Sequence, residues 1–230
     1  MRRVVFDIET VGIDFDQLSE SQKEYLTKWA KDDEEVITAK QSTAFYPLTG
    51  FVCAIGFFSP DAKEVKGTYF LDPQKEEVIK EGDIIYRSYK SEEQLLNHFW
   101  PLINNFSQVI TFNGRVFDVP FLLIRSAINK VRATKDLMGY RFEKQNQKHI
   151  DLADQLSFQG AMKRKFSLEF YCQAFNIQNP KEKMHGVEVS KLFNDQAYLE
   201  IAKYCYGDVG ATYKLYEYWE NYINISSNLC

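Results

Sequence analysis

The sequence lacks the features that mark several common classes of protein. Its four cysteines show no C-x-x-C spacing, which argues against a structural zinc site, and no apolar stretch approaches the length of a membrane span. The opening MRRVVFDIE does not resemble a signal peptide, because its apolar run is short and is soon interrupted by acids. Internal repeats and low-complexity tracts are also missing. These absences predict a soluble, cytoplasmic protein with reduced thiols and no membrane contact.

An excess of positive charge is missing as well. The formal net charge of -4 argues against a broad electrostatic surface for duplex nucleic acid. It still allows a short strand to bind in a narrow cleft, especially where bound cations offset some of the acids. With 230 residues, of which 45% are hydrophobic and 15% aromatic, the chain can bury the core of one large domain.

Strand and helix patterns interleave along the chain. Strands are predicted at 2–9, 50–59, 64–72, 84–90 and 108–113, with a further strand end at 149–156. Helices are predicted at 91–103, 118–130, 167–175 and 197–223. This order predicts an α/β fold of three layers, with a central mixed sheet of about five strands flanked by helices. Residues 1–230 are expected to form a single domain, with an acidic insertion at about 13–45.

Two carboxylates interrupt the first strand, in the stretch RVVFDIETVG. Alternate residues of a strand face the same side, so Asp7 and Glu9 should project together about 6–7 Å apart, while the apolar residues around them face the core. Two such neighbours in a partly desolvated position raise each other's pKa and are destabilising unless a cation neutralises them. The pair therefore suits a metal site, although a strand end that protrudes into solvent would also explain it.

Two further acids lie in unusual contexts. Asp118 follows the strand at 108–113 and precedes Pro120, which suits a helix N-cap but also the carboxyl end of a strand, where α/β folds bind ligands. Asp208 borders the apolar stripe of the last helix, four residues after Tyr204, so the two share a helix face. Each position has a structural explanation when taken alone: a cap for Asp118 and an amphipathic core edge for Tyr204.

In their order, these stretches resemble the three exonuclease motifs of the DEDD superfamily: FDIET on the first strand, NGRVFDVPFL at a strand–helix junction, and YCYGD on the last helix. That superfamily contains 3′–5′ exonucleases with a ribonuclease-H-like fold. The tyrosine of the third motif resembles that of the DEDDy branch. The DEDDh branch carries a histidine five residues before the last acid, and here that position is Lys203. The resemblance extends to stand-alone predicted exonucleases related to family B DNA polymerases, through PLTGFVCAIG, SEEQLLNHFW, HIDLADQL and KMHGVEVSKLF.

The resemblance implies a centre with two divalent cations, Mg²⁺ or Mn²⁺, held by four carboxylates. Asp7 would bridge both ions, Glu9 and Asp208 would complete the site that activates water, and Asp118 would serve the second ion, partly through water. Tyr204 would orient the attacking water, because an unshifted phenol pKa near 10 keeps it protonated.

Contacts to the substrate are predicted near these motifs. Thr10 follows the acidic strand, where the resemblance places the terminal nucleotide. Asn113 could bind substrate or hold its loop, and the Asn-Gly turn signal favours the loop. The basic run at 163–165 could touch phosphates, but a solvated cluster also explains it, and cap or turn roles suit Asp151 and Asp154. Arg115 and Lys183 could likewise touch phosphates, although solvated charges also explain them, and His185 is assigned to a loop rather than to the chemistry.

The predicted function is a metal-dependent 3′–5′ exonuclease that releases nucleoside monophosphates from a single-stranded or frayed 3′ end. Single-stranded DNA is the preferred polymer, and repair or proofreading in trans is the expected setting, with no polymerase or repair partner identified. Two alternatives remain open: an exoribonuclease of RNA processing, and a module that binds nucleic acid without hydrolysis. Membership in a replicative polymerase chain is disfavoured, because the sequence finishes soon after the last motif.

Overall fold

A mixed β-sheet organises the chain. In the computed structural model, which describes residues 2–143, 147–178 and 186–225, the sheet has seven strands: β1 (Arg3–Gly12), β2 (Gly50–Phe58), β3 (Lys66–Leu71), β4 (Val78–Glu81), β5 (Ile84–Tyr89), β6 (Gln108–Thr111) and β7 (His149–Asp151). Across the sheet their order is β4-β5-β3-β2-β1-β6-β7. The pairs β1–β2, β2–β3 and β4–β5 are antiparallel, and the pairs β3–β5, β1–β6 and β6–β7 are parallel.

Helices cover both faces of this sheet. Within the described ranges they are α1 (Glu20–Thr27), α2 (Asp33–Gln41), α3 (Glu92–Ile103), α4 (Asp118–Ile128), α5 (Leu152–Leu156), α6 (Leu168–Ala174), α7 (Gly186–Asn194) and α8 (Tyr198–Tyr222). Val5 of β1 lies in one buried cluster with Val209 of α8, whereas the next residue, Phe6, packs against Phe99 of α3 with ring centroids 5.9 Å apart. Because neighbouring side chains of a strand point to opposite faces, α8 and α3 lie on opposite sides. The predicted three-layer α/β fold is confirmed.

The prediction of about five strands was too low. β4 was missed because Val78, Lys80 and Glu81 are exposed, so the segment carries little of the apolar alternation that identifies a strand. It is an edge strand that pairs with β5 across a turn at Gly82, which has φ +58°. β7 is only three residues long, and the sequence indicated no more than a strand end there.

The acidic segment after β1, which was predicted from the sequence to be an insertion, folds into α1 and α2, flanked by 3-10 turns at Phe15–Gln17 and Ser42–Phe45. A capping box begins α1, where the Ser19 N–H donates to Gln22 Oε1 at 3.0 Å and the Ser19 side chain accepts the Gln22 N–H. The insertion returns to the sheet beside Gly12, where an added Cβ would lie 2.0 Å from Thr43 Oγ1. Gly12 is therefore required for the close approach of this return segment to β1.

Some predicted features cannot be placed. In the segment KMHGVEVSKLF, Lys183 and His185 lie outside the described residues, and α7 begins at Gly186. Among the helices that are described, none combines the length and the apolar character that crossing a bilayer requires.

Candidate active site

β1 carries two carboxylates in the middle of the sheet. Asp7 lies opposite Gly56 of β2 and Glu9 lies opposite Ala54, and a β-bulge interrupts the register between Glu9 and Thr10. Both acids are half-buried. Neither acid lies at a protruding strand end, because both belong to a strand that continues to Gly12 and pairs with β2. Bulges often re-aim side chains beside active sites, and this one follows directly after the second acid.

Asp118 reaches the same place from α4. It is the first residue of that helix, after Phe117 in the N-cap position, and in the described residues no side chain caps this helix end. Its Oδ1 instead accepts the backbone N–H of Ile8 at 3.1 Å. β6 pairs with β1 only as far as Val5, so the Asp118 carboxylate takes the position that a longer β6 would occupy. The helix-cap interpretation of Asp118 is therefore wrong, and its carboxylate lies beside the residue that separates Asp7 from Glu9.

α8 closes the cluster from one face of the sheet. The Cys205 thiol lies 3.5 Å from the Asp7 carbonyl oxygen and accepts the Gly56 N–H at 3.1 Å. An added Cβ on Gly56 would lie 2.9 Å from Val209 Cγ2, so glycine permits this close packing of helix on strand. The approach brings Tyr204 and Asp208, one turn apart and both buried, to the acids of β1.

Cys205 is the member of the cluster that the sequence did not predict. Its Sγ and one carboxylate oxygen each from Asp7 and Glu9 all lie within 4.8 Å of one another. Burial raises the pKa of this thiol, and the charges of Asp7, Glu9 and Asp208 raise it further, so the thiol stays protonated. Carboxylate oxygens are thus the available donors, and they are the donors that hard divalent cations prefer.

Raised pKa values also indicate that negative charge is concentrated in this cluster. Burial raises the pKa of Asp118 to about 7, the carboxylates of Asp151 and Asp208 act in the same direction, and the Ile8 N–H opposes them. Burial likewise raises the pKa of Tyr204, with further contributions from the neighbouring carboxylates and a hydrogen bond with Asp208. A divalent cation would relieve this accumulation of negative charge, so the carboxylates of Asp7, Glu9, Asp118 and Asp208 fit a metal centre.

A cleft of about 550 Å³ opens beside Asp7 and Asp208. Its other lining includes basic and aromatic side chains from the segments after β6 and β7: Phe112, Arg141, Lys163, Lys165, Phe166 and Tyr171. The basic run at 163–165 is exposed, as a solvated cluster would be, yet its first and last residues line the cleft. Arg164 instead lies over the Phe166 ring, 5.5 Å from the centroid.

The two predicted substrate contacts differ in how their side chains are used. Thr10 is buried, and its hydroxyl donates to the Ala44 carbonyl at 2.7 Å, which ties β1 to the insertion. Asn113 lines the cleft, has φ +63°, and donates its backbone N–H to Asp151 Oδ1 at 2.8 Å. Asn113 therefore holds its loop, as the turn signal favoured, and it also forms part of the cleft wall. Contact with substrate stays a prediction for both residues.

Residues 70–224 match a protein family described as predicted 3′–5′ exonucleases related to the exonuclease domain of PolB. The chain belongs to this family. The matched span contains Asp118, Tyr204 and Asp208, whereas Asp7 and Glu9 precede it and join the cluster through the fold.

Two polymerases show how this exonuclease-family chain relates to larger proteins. DNA polymerase 1 of Sulfurisphaera ohwakuensis is 26% identical over 130 residues, which cover 54% of this chain and 14% of the polymerase. The family B DNA polymerase of the hyperthermophilic archaeon Pyrobaculum calidifontis superposes with a TM-score of 0.60 and 16% identity, over 96% of this chain and 24% of that one. The chain thus spans a quarter or less of these relatives, and the structural likeness shows a shared ribonuclease-H-like fold.

Proposed function

We propose that this protein is a metal-dependent 3′–5′ exonuclease that releases nucleoside monophosphates from a single-stranded or frayed 3′ end, with single-stranded DNA as the preferred substrate. The hydrogen bond from the Ile8 N–H to Asp118 Oδ1 carries this proposal. It brings an acid of the second motif to the two acids of the first, where α8 adds Asp208. A binding module without hydrolysis would have no need for this convergence of acids.

The carboxylates of Asp7, Glu9, Asp118 and Asp208 would hold one or two Mg²⁺ or Mn²⁺ ions. When bound, such ions generate a nucleophilic water at neutral pH and stabilise the leaving 3′ oxygen. The Asp118 carboxylate accepts the Ile8 N–H and Asp7 lies within a paired strand, so both carboxylates are positioned before substrate binds.

Tyr204 is proposed to orient the attacking water. Burial and the neighbouring carboxylates raise its pKa, so the phenol remains protonated at physiological pH and cannot act as the general base. Its hydrogen bond with Asp208 fixes the ring beside the acids. The phenol therefore serves as a placed hydrogen-bonding group.

The cleft supports a nucleic-acid strand as the ligand. Lys163 and Lys165 supply positive charge for phosphates, and Phe166 and Tyr171 supply aromatic surfaces for bases. Such contacts are tolerant of sequence and suit an unpaired strand, which is why a single-stranded end is proposed.

The proposal is tested with single-stranded DNA and RNA labelled at the 5′ end, incubated with Mg²⁺, Mn²⁺ or a chelator. We expect a ladder that shortens from the 3′ end, that requires metal, and that Asp7→Ala abolishes; a faster ladder on DNA would favour DNA over RNA. Asp72→Ala is the matched control, because Asp72 is buried and accepts the Gln74 and Lys75 N–H groups in a turn after β3. Equal degradation by Asp7→Ala, or none by wild type on either polymer, contradicts the proposal.

A further inference from the structure

We infer that Asp151 is a positioning residue of the proposed exonuclease, which holds the loop at 112–117 so that Asp118 is presented to the other three acids. The inference rests on the proposed function. Asp151 is the last residue of β7 and is 1% exposed. It lies on a different element from each of the proposed metal ligands.

The Asp151 carboxylate accepts hydrogen bonds from two segments, the start of α5 and the loop after β6. Oδ1 accepts the Ala153 N–H at 3.0 Å, which caps α5, and also the Asn113 N–H at 2.8 Å. Oδ2 accepts the Arg115 N–H at 2.9 Å. A cap needs only the bond to Ala153, so the two bonds to the loop after β6 serve that loop rather than α5.

The hydrogen bonds continue from this loop to Asp118. The Asn113 carbonyl accepts the Phe117 N–H at 3.1 Å, and the Gly114 carbonyl accepts the Val119 N–H at 2.8 Å. Asn113 is held in a left-handed conformation that is unfavourable for a residue with a side chain. Moving Asn113 would therefore move the residues on both sides of Asp118.

A second contact anchors the same loop. The Arg115 guanidinium donates to the His149 carbonyl at 2.8 Å and to the carbonyls of Met138 and Gly139, and its Nε lies 3.7 Å from Asp154 Oδ2. The loop is thus bound to β7 through two backbone N–H groups and through the Arg115 side chain. Outer partners of this kind fix the ligands of a metal site, and their loss commonly lowers metal affinity or activity by about 10- to 100-fold.

Two substitutions separate the cap from the positioning role. Asp151→Ser keeps a hydroxyl that can cap α5 but is too short to reach Arg115, whereas Asp151→Asn keeps the shape and at least one acceptor. We expect Mn²⁺ affinity, measured calorimetrically without nucleic acid, to fall in the order wild type, Asp151→Asn, Asp151→Ser, by about 10- to 100-fold at the end of the series. We expect kcat to fall in the same order while KM for the strand is retained. Asp72→Ala, which loses comparable turn contacts elsewhere, should keep the wild-type Mn²⁺ affinity.

The outcomes are distinguishable. If wild type degrades strands, but the Mn²⁺ affinity and kcat of both Asp151 variants lie within about twofold of the wild-type values, Asp151 does not position the metal centre. If the Asp151 variants lose only thermal stability, while Mn²⁺ affinity and kcat of the folded fraction are retained, the inference is likewise overturned. If wild type itself neither binds Mn²⁺ nor degrades any strand, the proposed function fails, and the positioning role fails with it.

Discussion

Replacing Asp118 with asparagine should stabilise the metal-free protein at neutral and alkaline pH while it removes nuclease activity. Burial raises the pKa of Asp118 from 3.8 to about 7. Because the folded pKa lies above the unfolded one, the folded state holds a proton between pH 3.8 and 7 that the unfolded state has released. Stability is therefore fully present below pH 3.8 and declines as pH rises to 7. A shift of about three units, at about 1.4 kcal/mol per unit, amounts to about 4 kcal/mol.

Asparagine has no proton to lose in this range, and its amide oxygen can still accept the Ile8 N–H. The free energy of unfolding of Asp118→Asn should therefore match that of wild type near pH 4 and exceed it by up to about 4 kcal/mol near pH 8. Urea titrations followed by circular dichroism, with chelator present, measure the difference at each pH. Mg²⁺ or Mn²⁺ should then stabilise wild type more than the variant, because the ion takes up the charge of the carboxylate.

Asp61→Asn provides a control of opposite sign. A side-chain hydrogen bond from Arg3 lowers the pKa of Asp61, so its contribution to stability is present above pH 3.8 and is lost as pH falls through the lowered pKa. This variant should be less stable than wild type at neutral pH. If Asp118→Asn instead lowers stability at about pH 8, or gains the same amount at pH 4 and pH 8, the account of a buried, crowded Asp118 is refuted.

Three other substitutions test separate parts of the molecule. Tyr204→Phe should lower kcat about tenfold, because one hydrogen bond to the attacking water is lost, and the dependence of kcat on pH should be unchanged below pH 10. A decline of kcat at alkaline pH that only wild type shows would contradict a protonated phenol. The double substitution Lys163→Ala and Lys165→Ala should raise KM and leave kcat unchanged. In fluorescence anisotropy titrations it should also reduce the slope of log affinity against log salt concentration by about 1.4, and an unchanged slope would exclude phosphate contacts. Glu92→Ala should lower the free energy of unfolding by about 3–5 kcal/mol in urea, since it leaves the Arg125 guanidinium, whose side chain is only 12% exposed, without its carboxylate partner. A loss below about 1 kcal/mol would show that this pair contributes little.

The sequence predicted the layers of the fold from patterns that local physics constrains, whereas the convergence of Asp7, Glu9, Asp118 and Asp208 was predicted from the resemblance of three motifs to those of exonucleases. Period-two alternation in β1 places Asp7 and Glu9 on one side of the strand, and the helical spacing of Tyr204 and Asp208 places them on one face. Acids at such positions are unfavourable without a partner, so they stand out in a chain whose other acids are mostly solvated.

What could not be predicted depends on contacts between distant parts of the chain. The partner of Asp118 is a backbone N–H 110 residues away, and that bond exists because β6 ends before it reaches Ile8. Cys205 joins the cluster because Gly56 allows α8 to approach β2 closely. A single glycine in an apolar strand does not by itself predict such an approach. Lys163 and Lys165 face the cleft while Arg164 does not, in a loop without periodicity, so sequence spacing could not distinguish them.

Diffraction from a crystal grown with Mn²⁺ and a short single-stranded oligonucleotide, recorded above the manganese absorption edge, tests the central claim most directly. We predict anomalous peaks at the carboxylates of Asp7, Glu9, Asp118 and Asp208, with the 3′ end of the strand beside them, and loss of those peaks in Asp7→Ala crystals. Peaks confined to other acids, or a strand bound with its 3′ end away from the four carboxylates, would contradict the account.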